Sequence, residues 1–244
     1  AGFQAVEWAG DAHVPPGDKA AAAEARDLCG AMGIAITSYG AYYQCDRGGP
    51  AENGPFAFNQ GAEAALASAQ ALGVSDIRVW AGRRASSVAD PAYRAEVAER
   101  LTQFCDQSSA LGMRVHLEFH RNTLTDTAAS ALALLDAVSR DNLFSYWQPR
   151  HGARVEENLA DIEALGDRLS NVHVFHWLLK EPGGFEVDRR PLAEGRERWA
   201  AYLAALESMP GRRYAMLEFV RGDAVSQFRE DAKVLHELNA AQGR

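Results

Sequence analysis

Residues 109–120, Ser-Ala-Leu-Gly-Met-Arg-Val-His-Leu-Glu-Phe-His, hold the pattern that decides the fold. Ala-Leu-Gly112 ends an Ala-rich helical stretch with glycine, the residue best suited to the left-handed conformation that closes a helix. The following residues alternate apolar and polar side chains, as a β-strand with two different faces does. The same Ala-Leu-Gly ending precedes a strand at Gly73 and at Gly166. This repetition predicts βα units with parallel strands.

Seven strand-like segments alternate with seven helical stretches along the 244 residues. This alternation predicts an α/β fold, a TIM (β/α)₈-type barrel, in a single domain over residues 1–244, because no linker divides the chain. The alternative, a doubly wound open sheet, would carry a Gly-rich phosphate turn after an early strand, and the sequence has none. The strands are predicted at 4–8, 34–39, 76–80, 114–119, 142–148, 171–177 and 213–219. The helices are predicted at 18–32, 61–72, 91–111, 127–139, 155–165, 196–209 and 226–238.

A barrel of this type has eight strands, so seven leave one unaccounted for. The opening Ala1-Gly2-Phe3 resembles the end of a helix that runs into a strand. We therefore expect the first strand and the first helix of the barrel to be absent from this chain. The resulting gap would expose two strand edges, which a terminal segment or a second copy in a homo-oligomer would cover.

Composition and charge exclude several classes of protein. With 25 basic and 33 acidic residues the net charge is −8, which argues against nucleic-acid binding through phosphate neutralisation and against a basic membrane-surface protein. No apolar run approaches the roughly 20 residues that a membrane span needs. The three cysteines stand at unrelated spacings, so neither a disulfide framework nor a Cys-based zinc site is expected. A cytoplasmic protein with a small-molecule partner is the expectation.

Polar residues that are good metal ligands stand where four of the predicted strands end. His116, Glu118 and His120 share one face of their strand, and ionisable side chains on an inward face are costly unless they bind something. Gln148, His173 and Glu218 occupy corresponding positions on three later strands. Active sites of TIM barrels lie at the carboxyl ends of the strands. Glu118, Gln148, His173 and Glu218 therefore predict a site for a divalent ion such as Mn²⁺, Mg²⁺ or Co²⁺.

Other residues near the strand ends are candidates for binding a substrate. Glu7 and Trp8 end the first strand, and Tyr39 ends the second with an aromatic ring suited to stacking on a sugar. His176 has the opposite parity to His173, so it either reaches the site beyond the end of its strand or supports the site indirectly. Arg189 and Arg190 are placed to hold a hydroxyl, carboxylate or phosphate group at the barrel mouth.

Several motifs resemble the xylose-isomerase-like TIM-barrel superfamily of sugar isomerases and epimerases, and the likeness covers nearly the whole chain. The motifs are Leu117-Glu118-Phe-His120 followed by Asn122-Thr-Leu-Thr-Asp126, Asn171-Val-His173-Val, Arg190-Pro-Leu-Ala-Glu-Gly195 with Trp199, and Leu217-Glu218-Phe. The superfamily holds a divalent metal with Glu, Asp, His and Glu. These positions fall on Glu118, Gln148, His173 and Glu218, so glutamine replaces the usual aspartate.

The resemblance also implies roles for further residues. His151 corresponds to a substrate-contacting histidine, His120 lies at the substrate, and Arg189 or Arg190 corresponds to an arginine that touches substrate in the epimerases. Glu118 and Glu218 would both bind metal and move protons. The implied function is a metal-dependent isomerase or epimerase that acts on a sugar or polyol through an enediolate.

Three alternatives to this function remain. Glu118-Phe-His120 with Thr-Leu-Thr-Asp126 is also similar to the metal-dependent 3-dehydroshikimate dehydratases, although Phe175 stands where those enzymes tend to carry lysine. The neutral Gln148 favours a non-catalytic sugar-binding barrel that has lost its metal. The DNA-repair endonucleases of the superfamily use a His-rich multi-metal site, which seven histidines and a charge of −8 disfavour.

Overall fold

The structure, a computed structural model, describes residues 1–46 and 61–242 of the chain. Within these ranges seven helices alternate with strands in the predicted order, and short 3₁₀ helices join some of them. The strands are β1 (Ala5–Ala9), β2 (Ala35–Gly40), β3 (Asp76–Val79), β4 (Arg114–Leu117), β5 (Leu143–Trp147), β6 (Leu169–Val174), β7 (His176–Leu179), β8 (Val187–Arg190) and β9 (Ala215–Leu217). The helices are α1 (Lys19–Met32), α2 (Ala62–Leu72), α3 (Pro91–Ala110), α4 (Ala128–Val138), α5 (Val155–Leu165), α6 (Arg196–Glu207) and α7 (Val225–Gln242).

Six of the seven helices in the described residues begin and end within two residues of their predicted bounds, whereas α7 continues to Gln242 instead of ending at 238. Asp18, Asp90 and Thr127 cap the starts of α1, α3 and α4, where their side chains accept hydrogen bonds from backbone amides of the first turn. Gly33 and Gly73 close α1 and α2 in the left-handed conformation. These caps set where the helices end, which is why most predicted bounds agree closely with the structure. Gly166, predicted to end α5 in the left-handed conformation, has φ of 49° and ψ of −131° and begins a short 3₁₀ helix instead.

Seven of the strands are parallel and are hydrogen-bonded in the order β1-β2-β3-β4-β5-β6-β9. The predicted α/β class with seven parallel strands is therefore confirmed. One irregularity interrupts the register between β1 and β2: Val6 pairs with Ile36, but Glu7 pairs with Ser38. This shift changes which residue of β2 stands beside Glu7, and it affects the site described below.

The chain groups into two compact units. The amino-terminal unit comprises Gln4–Ser145, and its core lies between the sheet and the helices that follow β1 to β4. Side chains such as Ile77, Val97 and Leu117 are fully buried there. The carboxy-terminal unit comprises Tyr146–Arg244 with Ala1–Phe3. Its interior holds a cluster of edge-to-face aromatic rings formed by Trp147, Trp199 and Tyr202.

A two-stranded antiparallel hairpin corrects one predicted strand. The segment 171–177 was expected to form a single strand, but β6 ends at Val174 and a new strand begins at His176. This strand, β7, pairs with β8 so that His176 faces Arg190 and Leu179 faces Val187. The turn between them contains Pro182, Gly183 and Gly184, residues that favour a chain reversal.

The cysteines and the helices bear on two further expectations. Cys29, Cys45 and Cys105 are buried free thiols. This agrees with the sequence, from which no disulfide framework was expected. Among the helices of residues 1–46 and 61–242, none combines the length and apolar character required to cross a membrane.

Candidate functional site

Glu118 directly follows β4 in the amino-terminal unit, and its side chain is buried. Its backbone amide continues the parallel pairing by donating to the carbonyl of Val79 at 3.0 Å. The carboxylate oxygen Oε2 accepts hydrogen bonds from the Arg78 guanidinium and from the indole Nε1 of Trp80, the latter at 2.5 Å. The predicted catalytic and metal-binding glutamate is thus held by two donors from the neighbouring strand.

Arg78 lies between two carboxylates and is almost completely buried. Its Nη1 pairs with Glu118, and its Nε donates to Oε1 of Glu7 at 2.8 Å. The other oxygen of Glu7 accepts a 2.6 Å hydrogen bond from the hydroxyl of Ser38. A buried guanidinium needs such partners, because an unpaired charge in the interior is costly. Glu7, predicted as a substrate contact, therefore uses both oxygens within this network.

Gly40 is the residue that makes room for Arg78. A Cβ atom placed at position 40 would lie 2.4 Å from Nη2 of Arg78, 3.1 Å from its Cζ and 3.3 Å from Oε1 of Glu7. Because the guanidinium is fixed by ion pairs on two sides, it has little freedom to move aside. The end of β2 consequently requires a residue without a side chain.

Aromatic rings surround the end of β3 in the same unit. The ring of His120 stacks on Trp80 with centroids 4.6 Å apart, and Tyr42 packs against the same indole at 5.9 Å. The guanidinium of Arg78 lies over the Tyr42 ring at 5.3 Å, a cation–π distance. Tyr42 has φ of 56°, an uncommon backbone conformation for a residue with a side chain, which is often found at functional sites.

Trp8 and Tyr39 do not belong to this group of side chains. Tyr39 is fully buried in the core, where its hydroxyl donates to the backbone carbonyl of Val14 at 2.7 Å and burial raises its pKa. Trp8 pairs with Tyr39 in the sheet and packs against the same core. The register shift after Val6 places Ser38, rather than Thr37, beside Glu7, and Tyr39 stays in the core. We therefore leave Trp8 and Tyr39 out of the site.

His116 is buried below Glu118 on β4 and has a partner of its own. Its Nε2 lies 2.6 Å from Oδ1 of Asp76, which also pairs with Arg114 at 2.7 Å. Burial alone would raise the pKa of Asp76, but the hydrogen bond and charge of His116, with hydrogen bonds from Arg114 and Ser75, lower it from 3.8 to about 2. This part of the polar face is an ion-pair network at the start of the strands. The pairing gives its residues a structural role.

The carboxy-terminal unit brings three of the predicted metal ligands together. Nδ1 of His173, at the end of β6, lies 2.9 Å from Oε1 of Gln148 and 3.4 Å from Oε2 of Glu218. Gln148 and His173 are buried, and Glu218 is partly exposed. The edge of the His173 ring contacts Tyr146 with centroids 5.3 Å apart, which helps to fix the orientation of the imidazole.

The chemistry of these three donor atoms fits a divalent metal. An amide oxygen and a carboxylate oxygen both lie close to one imidazole nitrogen, and the three donor types together suit a borderline-hard ion better than a soft one. The amide oxygen of Gln148 coordinates without adding a charge. Oε1 of Gln148 lies beside Nδ1 of His173, the second predicted ligand of this group.

His151 belongs to an aromatic cluster at the opening of the carboxy-terminal unit. Its ring stacks on Trp177 with centroids 5.3 Å apart and an angle of 6°, and Trp177 stacks in turn on Phe175 at 4.3 Å. Phe219 packs on the far side of Trp177 at 5.7 Å. Arg189 lies over the Phe219 ring at 4.9 Å. These flat apolar faces beside a polar group are typical of a surface that receives a sugar ring.

Arg189 and Arg190 lie on β8, and both have acidic partners. Nη1 of Arg189 pairs with Asp223 at 2.8 Å. Arg190 pairs with Glu194 at 2.7 Å and with Asp188 at 3.2 Å. Arg189 also contacts the aromatic cluster, whereas Arg190 is held on the hairpin surface. Of the two arginines, Arg189 contacts the ring of Trp177, and Trp177 stacks on His151, the predicted substrate contact.

His176 begins β7 because the preceding strand has ended, and it packs against Gly195. A Cβ atom at position 195 would lie only 2.6 Å from Nδ1 of His176. Burial, followed by the charge of Arg198, lowers the pKa of His176 and favours the neutral imidazole. These contacts fit a residue that supports the hairpin.

Sequence reasoning overlooked Arg78 and Ser38 as members of the site. Arg78 stands inside a predicted strand between Ile77 and Val79, and its parity matches that of Trp80. A charged residue in the middle of an otherwise apolar strand was the available signal, since such a residue needs a buried partner. Ser38 offered no comparable signal, because it faces Glu7 only through the register shift.

Comparison with known proteins places this geometry in a family. A family model described as a xylose isomerase-like TIM barrel matches residues 1–238. A curated relative, the 3-dehydroshikimate dehydratase of Bacillus anthracis, is 40% identical over 67 residues, which are 28% of this chain and 24% of the relative. The match thus spans about a quarter of the length of that relative.

Two solved structures show the likeness of fold. A D-psicose 3-epimerase, crystallised in the presence of D-fructose, aligns with a TM-score of 0.69 and 18% identity over 100% of this chain and 90% of its own. A protein named IolI, with a bound zinc atom, aligns with a TM-score of 0.74 and 16% identity over 99% of this chain and 90% of its own.

Proposed function

Because the chain belongs to the xylose isomerase-like TIM-barrel family, we propose that it is a metal-dependent isomerase or epimerase of a sugar or sugar-like polyol. One observation carries the proposal: Oε1 of Gln148 and Oε2 of Glu218 both lie within 3.4 Å of Nδ1 of His173, and these three donor types suit a divalent metal. The epimerase and the zinc-containing protein of the same fold support it.

The proposed ligands are Glu118, Gln148, His173 and Glu218, and the proposed ion is Mn²⁺, Mg²⁺ or Co²⁺. Each residue stands at or just after the carboxyl end of a parallel strand, the end at which TIM-barrel sites form. The two carboxylates balance the charge of a divalent ion, while Gln148 and a neutral His173 add none. This neutral shell should hold the ion more weakly than one with three carboxylates would.

A bound divalent ion supplies Lewis acidity, which makes a carbon next to a carbonyl easier to deprotonate. In our proposal Glu118 and Glu218 take and return that proton on the two faces of the carbon, so that an enediolate forms between the two transfers. His120 and His151 contact the hydroxyl groups of the substrate. The rings of Trp80 and Trp177, on which these histidines stack, hold the imidazoles in place.

A second function, dehydration of 3-dehydroshikimate, has a specific observation in its favour. A segment of 67 residues is 40% identical to the Bacillus anthracis dehydratase, which supports this second function. Against it, the position where the dehydratases tend to carry lysine holds Phe175, which is buried and stacked on Trp177. The third candidate is a non-catalytic sugar-binding barrel that has lost its metal. Because both enzymes require a metal, the metal content of the purified protein distinguishes it from them.

Metal analysis and a substrate panel test these functions together. The purified protein is stripped with a chelator, reloaded with Mn²⁺, and incubated with D-fructose, an inosose-type polyol and 3-dehydroshikimate. About one metal per chain and formation of an epimer from a ketose or polyol is the expected result. A dehydrated product from 3-dehydroshikimate alone would favour the dehydratase. Absence of bound metal after reloading would contradict both enzymatic functions and favour the binding protein.

A further inference from the structure

Arg78 lies in a buried network of side chains that has no role in the proposed mechanism. Its guanidinium pairs with Glu7 through Nε at 2.8 Å and with Glu118 through Nη1, and its side chain is 2% exposed. Glu7 is held in turn by Ser38. The absence of a side chain at Gly40 lets the guanidinium occupy this position. The arginine is therefore fixed from several sides, which is unusual for a long and flexible side chain.

Both donors that reach Glu118 from β3 and its end bond the same oxygen. The guanidinium of Arg78 and the indole of Trp80 both donate to Oε2. Charge-assisted hydrogen bonds of this kind are the stronger ones, so they fix the rotation of the carboxylate. A carboxylate that binds a metal with both oxygens must present both to the ion. Two donors on Oε2 oppose that arrangement.

We propose that Arg78 is a positioning residue that, with Trp80, reserves Oε2 of Glu118, so that the carboxylate offers a single oxygen, Oε1, to the metal. The inference rests on the proposed function, because it assumes that Glu118 is a ligand. Glu7 contributes by accepting a hydrogen bond from Nε of Arg78, which helps to hold the guanidinium in place. If Glu118 binds the metal through one oxygen, a coordination position remains for a substrate oxygen. A glutamate that bound through both oxygens would fill that position.

The charge of Arg78 must be separated from its positioning effect. Removing a positive charge close to a cation site raises the affinity for the metal by itself. The increase is several-fold, and on the order of tenfold where the charges are partly buried. Replacement of Arg78 alone would also leave the buried Glu7 carboxylate without its ion-pair partner. The double variant Arg78→Met with Glu7→Gln removes one charge of each sign and so keeps the net charge of the network.

The test uses Co²⁺ bound to the full chain, because the visible absorption of this ion weakens as its coordination number rises. We expect the double variant to absorb roughly twofold less than the wild type per bound ion, as Glu118 turns to bind with both oxygens. Its Kd for Mn²⁺, measured by calorimetry, should stay within about threefold of the wild type, since the net charge is kept. The matched control is Arg83→Gln with Asp46→Asn, which removes the neighbouring ion pair at 3.1 Å and should leave the spectrum unchanged.

A further variant keeps the inference testable if the double variant does not fold. Arg78→Lys retains the charge but cannot bond two carboxylates as a fork, so its Co²⁺ band should also weaken. A Co²⁺ band equal to that of the wild type in each folded variant at Arg78 would overturn the positioning role. A wild type that binds neither Co²⁺ nor Mn²⁺ would overturn the proposed function, and this assignment with it.

Discussion

Replacement of Asp76 by asparagine should destabilise the protein at neutral pH, and the loss should diminish as the pH falls. Asp76 is buried between His116 at 2.6 Å and Arg114 at 2.7 Å, and these partners bring its pKa from 3.8 to about 2. A carboxylate whose pKa is lower in the folded protein stabilises the fold above the pKa of the unfolded chain. That stabilisation disappears as the pH falls through the pKa of the folded state.

The size of the effect follows from the two pKa values. The gap between 3.8 and about 2, at about 1.4 kcal/mol for each pH unit, gives about 2–3 kcal/mol at pH 7. About half of this should remain at pH 3, where the unfolded carboxyl is mostly protonated and the folded one is not. The stability gap between wild type and Asp76→Asn should therefore be nearly constant from pH 7 to pH 5 and narrow below pH 4.

Urea unfolding of both proteins at pH 7, 5, 4 and 3 measures this gap. Asp106→Asn is the control, because Asp106 pairs with Arg140 at 2.6 Å on the exposed surface, where salt screens the attraction. The control should change stability much less. A gap between wild type and Asp76→Asn that is the same at pH 3 as at pH 7 would refute the reasoning.

Three further predictions concern the site and the hairpin. Gln148→Asp should tighten Mn²⁺ binding by about tenfold, since it adds a negative charge to the ligands; equal affinities in calorimetry would contradict this. His120→Ala and His151→Ala should each lower turnover of whichever panel substrate reacts and keep about one metal per chain; metal loss in both would show that the roles are misassigned. Gly195→Ala should lower the free energy of unfolding by about 1–3 kcal/mol because its Cβ meets His176 at 2.6 Å; an unchanged urea midpoint would show that His176 can move aside.

The parallel strands and helices were predictable because their signals are local. Alternation, capping residues and the glycines that follow several of the helices depend on neighbours a few residues away. The hairpin β7–β8 was missed because Val174, Phe175 and Trp177 continue the apolar character of β6. The end of that strand depends on pairing with Arg190, which is distant in sequence. The Pro182-Gly183-Gly184 turn was the signal that remained unused.

The sequence allowed strand-end residues to be predicted as a candidate site, but it did not indicate the network around them. Glu118, Gln148, His173 and Glu218 were predicted as ligands because inward polar residues are rare in apolar strands. Tyr39 was predicted as a substrate contact, but its ring is buried in the core and its hydroxyl donates to the carbonyl of Val14. The register shift between Val6 and Glu7, which puts Ser38 beside Glu7, has no local sequence signature. Arg78 requires knowledge of two carboxylates on other strands, at positions 7 and 118.

The hairpin of β7 and β8 offers a place where the chain tolerates change. Its base is fixed where His176 faces Arg190, and its upper end is closed by the backbone hydrogen bond from Lys180 to Glu186 at 3.0 Å. The residues between Lys180 and Glu186 are partly or fully exposed and take no part in the ladder. A fluorophore or a short affinity tag inserted after Gly183 would therefore extend into solvent and report on the protein without altering the residues that hold His176.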